Sequence, residues 1–136
     1  MDIKLFSLPN RLDSDFQAHN AESSVLWEAF AASRHERIPI RLNTNPRILM
    51  LDPAYNHRGL DYETYMNDAD TMGQVILEWL YWIRFLLPGD QEKGLPETWK
   101  LGIDFENIYD AAWFGCPVHY RAGQVPDTLP ILDDDH

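Results

Sequence analysis

The longest apolar stripe in the chain runs into Pro88-Gly89, and this pairing constrains the fold more than any other feature. Met72, Val75, Ile76, Trp79, Leu80, Ile83 and Leu87 recur at helical spacing, with Leu86 widening the stripe. Asn67 or Asp68 stands where an N-cap is needed, so the spacing predicts a helix over 68–87 that Pro88-Gly89 ends. Glu78 and Arg84 interrupt its most apolar part, 75–87, which is also shorter than the roughly 20 residues of a membrane span. Such a stripe must be covered by other parts of the chain, and 136 residues suffice for one domain with a core.

Around that helix the pattern changes period several times. Residues 1–21 carry no clear repeat and read as an irregular lead-in. Val25, Leu26, Ala29, Phe30 and Ser33 predict a helix over 22–34, capped by Asn20 or Ser23. Ile38, Ile40 and Leu42 then alternate with Pro39, Arg41 and Asn43, the two-residue period of a strand. A long loop follows over 44–60, with an apolar patch at 48–51 and an Asn56-His-Arg-Gly59 turn signal. A short helix is expected over 61–66. Leu101, Ile103 and Phe105 alternate with Gly102, Asp104 and Glu106, predicting a second strand over 99–106. A helical turn over 107–114 should end at Gly115, and the tail 117–132 should be extended, with Pro126 and Pro130 limiting its pairing. Strands separated by long helices imply an α/β protein with a parallel sheet. Two strands and two helices close such a sheet poorly, so the chain reads as the beginning of a larger α/β domain.

Charge narrows the function classes. The 22 acidic against 11 basic side chains give a formal charge of −11, which disfavours nucleic acid because phosphate binding needs a basic field. A single cysteine excludes an internal disulfide framework. With no apolar leader segment at the N-terminus, a cytoplasmic location is the expectation. Five arginines fall between positions 34 and 58 (Arg34, Arg37, Arg41, Arg47 and Arg58), against Glu36 and Asp52. They form either an anion-binding edge of guanidinium forks or a solvated loop paired with the surplus acid. Asp104 and Glu106 lie two apart near the C-terminal end of the second expected strand, where α/β folds place ligands. There they are either a proton-sharing pair or acids that satisfy free N–H groups at a helix start. Cys116 and His119 supply half of a zinc site and have no second pair at suitable spacing, while Asp133 to His136 reads as a solvated acidic tail. No phosphate loop, nucleophile elbow or His-Glu-x-x-His motif is present.

Three segments, in order, resemble the N-terminal part of the uroporphyrinogen decarboxylase-like superfamily. They are Arg37-Ile-Pro-Ile-Arg41 after a helix, Leu60-Asp-Tyr-Glu-Thr-Tyr-Met-Asn-Asp68 before the long helix, and Asp104-Phe-Glu-Asn107 followed by Ala111-Ala-Trp-Phe-Gly-Cys-Pro-Val118. The resemblance implies the N-terminal portion of a (β/α)8 barrel, over residues 22–136, in an enzyme of the decarboxylase or corrinoid-methyltransferase type. Such barrels run to roughly 250 residues or more, and the resemblance covers about the first third of one. Decarboxylases of this family carry Arg-Gln-Ala-Gly-Arg after the first strand, where this chain has Asn43-Thr-Asn-Pro-Arg47, a departure that argues against porphyrinogen decarboxylation itself. The family's key aspartate falls in register with Glu106. The resemblance thus points to Glu106 and Asp104 as catalytic groups. Asn43, Asn45, Arg47 and Arg41 would position a small anionic or tetrapyrrole-related substrate. The family's zinc is held by the C-terminal part of the barrel and its methyl partner is a corrinoid protein, so no cofactor is expected on this chain and little catalysis from it alone. Self-association is compatible with this reading. The rival expectation is a free-standing module that binds a partner protein through its aromatic helix, 68–87.

Overall fold

The computed structural model describes residues 5–131, so the expectation for the tail at 133–136 lies outside the described residues. In chain order the elements are α1 (Gln17–Ala31), α2 (Arg47–Met50), α3 (Tyr62–Asn67), α4 (Ala69–Phe85), a 3-10 turn (Glu106–Ile108), α5 (Tyr109–Trp113), β1 (Val118–His119) and β2 (Asp127–Thr128).

Helix α4 organises the rest. Asp68 closes α3 and opens α4, its carboxylate accepting the Thr71 N–H at 2.6 Å. Its extended backbone breaks one helix from the next, and its side chain satisfies a free N–H of the second. Met72, Val75 and Ile76 are buried from the α4 side. They join Phe6, Leu49, Met50, Tyr62 and Tyr65 in the main core, and Trp79, Leu80 and Trp82 pack against it half-buried. The helix ends where Leu86 and Leu87 both donate to the Trp82 carbonyl, ahead of Pro88. Gly89 turns the chain at φ +130°, a conformation open to glycine.

Two polar side chains of α4 hold the N-terminal segment. Fully buried Glu78 accepts the N–H groups of Leu5 and Phe6, each at 2.9 Å, and the Gln74 amide at 2.6 Å. The Tyr81 hydroxyl accepts from Arg11 N at 2.6 Å and donates to the Pro9 carbonyl at 2.8 Å. Residues 5–16 of the expected lead-in are irregular but pinned, and 17–21 already belong to a helix.

Helix α1 begins at Gln17 rather than 22, and neither Asn20 nor Ser23 caps it; the Asp15 carboxylate accepts the Gln17 N–H at 2.8 Å. Asn20 instead bonds the Lys93 backbone in both directions, at 2.8 and 3.0 Å, and Ser23 is buried inside the helix. The Trp27 indole donates to the Asp90 carbonyl at 2.7 Å. Polar contacts to 90–93 thus decide which face of α1 turns inward, and Val25 of the expected stripe is left exposed.

The two expected strands, 37–43 and 99–106, form no ladder. Both stretches up to the 3-10 turn run without regular pairing, and Ile38 (67%) and Ile103 (76%) stand largely in water. Alternation marks a segment able to lie on a sheet, but a strand exists only when a second backbone meets its N–H and C=O groups. In 37–43 the backbone bonds go to Asp90, from Ile40 N to the carboxylate and from Asp90 N to Ile40 O at 2.7 Å. The only ladder among the described residues is antiparallel β1–β2 in the tail, pairing Val118 with Thr128 and His119 with Asp127. Buried Pro126 before it and Pro130 after it hold that ladder to two pairs.

Candidate functional site

The loop 44–60 is not structureless. Asn45 accepts the Arg47 N–H at 3.1 Å and Pro46 opens α2, which sends Leu49 and Met50 into the core. The Asn56 amide donates to Met50 O at 2.8 Å and Leu60 O at 2.7 Å, while its oxygen accepts Leu60 N at 2.8 Å. One side chain therefore closes the loop and fixes the direction of α2.

Arg47 leaves α2 toward Glu106. Its Nε donates to Glu106 Oε2 at 2.9 Å, and its Nη2 donates to the same oxygen. The Glu106 side chain is 5% exposed and that of Arg47 37%, so the acid is inside and the cation reaches the surface. This hydrogen bond, first among the causes, raises Arg47 further above its ordinary range. Glu106 has φ +56°, which an L side chain adopts only when its surroundings impose it. Asp104 supplies that constraint, with its Oδ1 accepting the Glu106 N–H at 2.9 Å.

Helix α3 completes the arrangement with two buried tyrosines at i and i+3, their rings 6.0 Å apart edge to face. The Tyr65 hydroxyl donates to the Asp104 carbonyl at 3.1 Å. Burial, then the charges of Asp104 and Glu106, push the Tyr65 phenol up to about 12. Burial and then the Glu106 charge hold Tyr62 still further above the ordinary tyrosine range, with Arg47 opposing. The Tyr62 hydroxyl is enclosed and has no hydrogen-bond partner among the described residues.

Of the six site residues expected from sequence, the fold brings together Arg47, Glu106 and Asp104, with Asn45 bracing Arg47. Asn43 is exposed. Arg41 lies elsewhere, its guanidinium 5.3 Å over the Trp27 ring of α1. The expected arginine edge is divided, since Arg37 forks onto the Asp90 carboxylate, with Nη1 to Oδ2 at 2.8 Å and Nη2 to Oδ1 at 2.6 Å. Tyr62 and Tyr65 were not singled out from sequence. Their i, i+3 spacing inside Tyr62-Glu-Thr-Tyr65 was the available signal. The aromatic helix is turned inward, with Tyr81 fully buried and Trp79 and Trp82 half-buried.

Beside Tyr62 a cleft of about 440 Å³ opens between the 50–63 loop and residues 120–124. A second groove, of about 350 Å³, is apolar and lies between α4 and Leu101, Ile103 and Phe105. His119 sits 3.6 Å from Asp127, which also binds Arg121. Among the described residues no group of three or more His, Cys, Asp or Glu side chains is placed to hold a metal. No helix of the described residues is long and apolar enough to cross a membrane.

Glu106 takes the Nε and one Nη2 donor of Arg47, so the partly exposed guanidinium keeps further N–H groups with which it can hold an acceptor group. Compared with family models, with curated proteins and with solved structures, the chain matches none.

Proposed function

We propose that this chain is the N-terminal portion of a uroporphyrinogen decarboxylase-like barrel that binds a small anionic or tetrapyrrole-related substrate. The observation that carries the reading is the Arg47–Glu106 pair. Two residues singled out at the ends of separate expected strands, 59 positions apart, meet on one carboxylate oxygen. In that role Arg47 turns its exposed edge to a substrate carboxylate. Glu106 fixes the guanidinium and holds negative charge beside it, and Asp104 fixes Glu106. The segments 37–43 and 99–106, apolar on alternate positions, would become barrel strands once other strands pair with them. On this reading the protein is cytoplasmic, works as a lyase or methyltransferase, and in the second case meets a corrinoid protein.

The test uses the protein expressed from its complete reading frame and a porphyrin bearing carboxylate side chains, titrated by fluorescence. Saturable binding, weakened about tenfold in Arg47→Gln, is the expected result, one charge-assisted hydrogen bond being worth that much. No binding by the wild type, or equal binding by both proteins, overturns it.

A further inference from the structure

We infer that the apolar groove between α4 and residues 101–105 docks a partner segment that is both apolar and cationic, an amphipathic helix carrying lysine or arginine. The inference is independent of the substrate proposed above, and a failed porphyrin titration leaves it standing.

Small residues open the groove. Ala69 and Gly73 line it from α4 together with Ile76, and Leu101, Ile103 and Phe105 form the opposite wall. Gly73 lies inside the helix, where glycine is less stable than alanine, and a Cβ there meets nothing within 4 Å. No contact within the chain requires a glycine at this position. Its small size leaves a groove of about 350 Å³ with room for apolar side chains. The apolar face continues past the groove. Phe105, Tyr109 and Trp113 stand in a row, ring centroids 6.0 and 6.4 Å apart, and Trp113 is 76% exposed. A continuous apolar face with a polar rim marks an interaction surface.

Charge says what covers it. The walls come from 59–83 and 101–118, which hold five and three acids respectively and no Lys, Arg or His. Five of these acids are committed. Asp61 and Asp68 cap helices, Asp104 takes the Glu106 N–H, Glu78 holds the N-terminal segment, and Glu106 is bound to Arg47. Glu63, Asp70 and Asp110 are exposed and in no ion pair among the described residues. Glu63 stands one helical turn before Met66 of the groove, Asp70 one turn before Gly73, and Asp110 directly after Tyr109. An acidic rim around an apolar floor complements a helix with leucine-like side chains on one face and basic ones beside them. A second copy would bring the same acids to the interface of a chain with charge −11, and an anionic lipid surface is repelled for the same reason.

The probe is a labelled peptide of leucine and lysine, its leucines at helical spacing, titrated against the protein expressed from its complete reading frame. Fluorescence anisotropy should show saturable binding that weakens with salt. Gly73→Leu fills the groove and favours the helix, so it should keep or raise the thermal midpoint while weakening the peptide about tenfold. Ile103→Ser, on the exposed opposite wall, should weaken it to a similar degree. Asp70→Asn combined with Asp110→Asn should cost about fivefold, and Glu22→Gln combined with Glu36→Gln, the same charge lost elsewhere, much less. No binding by the wild type, or equally tight binding of a peptide with glutamate in place of lysine, overturns the inference. Unchanged affinity in both Gly73→Leu and Ile103→Ser overturns it too, as does an equal loss from the two acid pairs, which would mean attraction to the overall charge. A wild type that elutes as a dimer split by Gly73→Leu would make a second copy the occupant and overturn the cationic partner.

Discussion

Arg47 and Glu106 meet on a single oxygen, the guanidinium giving both Nε and Nη2 to Oε2. Removing one partner strands the other, and the acid is the more deeply enclosed. Arg47→Gln should therefore destabilise by about 1–3 kcal/mol, below the range of fully buried pairs because the cation is partly solvated. A double-mutant cycle with Glu106→Gln, followed by urea unfolding, should return a coupling of about 1 kcal/mol or more. Additive effects would mean that the two side chains are not joined in solution.

Glu78 offers a second test. Its two oxygens receive the backbone N–H groups of Leu5 and Phe6. Glu78→Gln swaps one acceptor for a donor and should cost about 1–3 kcal/mol. Hydrogen exchange should quicken at the Leu5 and Phe6 amides before it does in α4. Unchanged protection at those two amides would refute the attachment.

Glycines differ in what a methyl group would meet. At Gly89, φ +130°, an added Cβ lies 2.3 Å from Gln91 Oε1 and 3.1 Å from the Ile40 carbonyl, whereas Gly59, φ +66°, has nothing within 4 Å. Gly59→Ala should cost about 1–2 kcal/mol from backbone conformation alone. Gly89→Ala should cost more, because Gln91 is buried and its amide is bonded to Leu87 O and Pro88 O. Thermal midpoints in the reverse order would contradict the geometry.

Acid should loosen the region around Asp90. The Arg37 fork, then the Ile40 N–H, hold its carboxyl well below the ordinary range. A folded pKa below the unfolded one means stability that is complete above about pH 4 and is lost as pH falls through the folded value. Asp61 is lowered in the same direction by the Thr64 N–H it accepts. Asp90→Asn should flatten the acid limb of a stability–pH curve and leave the neutral plateau lower. Asp61→Ala should cost about 1 kcal/mol at neutral pH as a lost cap. An acid limb unaltered by Asp90→Asn would remove this carboxylate from the account.

Helix α4 was legible because its stripe and its stop are both local, and Asp68 stood among its expected caps. The start of α1 was not, since the Asn20 and Trp27 side chains are answered by residues 73 and 63 positions away. Ile38, Ile40 and Leu42 show why period alone does not make a strand: alternation records two faces, and pairing needs a partner that no short window contains. In the candidate site, Arg47, Asp104 and Glu106 were visible as charges near expected strand ends. That Arg41 would turn to Trp27, and that two tyrosines of α3 would face the acids, depended on how the helix rotates once its neighbours are packed.

Asp90 joins three stretches of chain at once. Its carbonyl takes the Trp27 indole, its N–H goes to Ile40, and its carboxylate holds Arg37 and the Ile40 N–H. The end of α1 and the 37–40 segment are therefore coupled through Asp90, in addition to the neighbouring Arg41 contact with the Trp27 ring. When the turn at 89–90 opens, both lose their moorings in the same event. They should behave as one cooperative unit, with exchange rates that rise and fall together while the core beneath α4 stays closed.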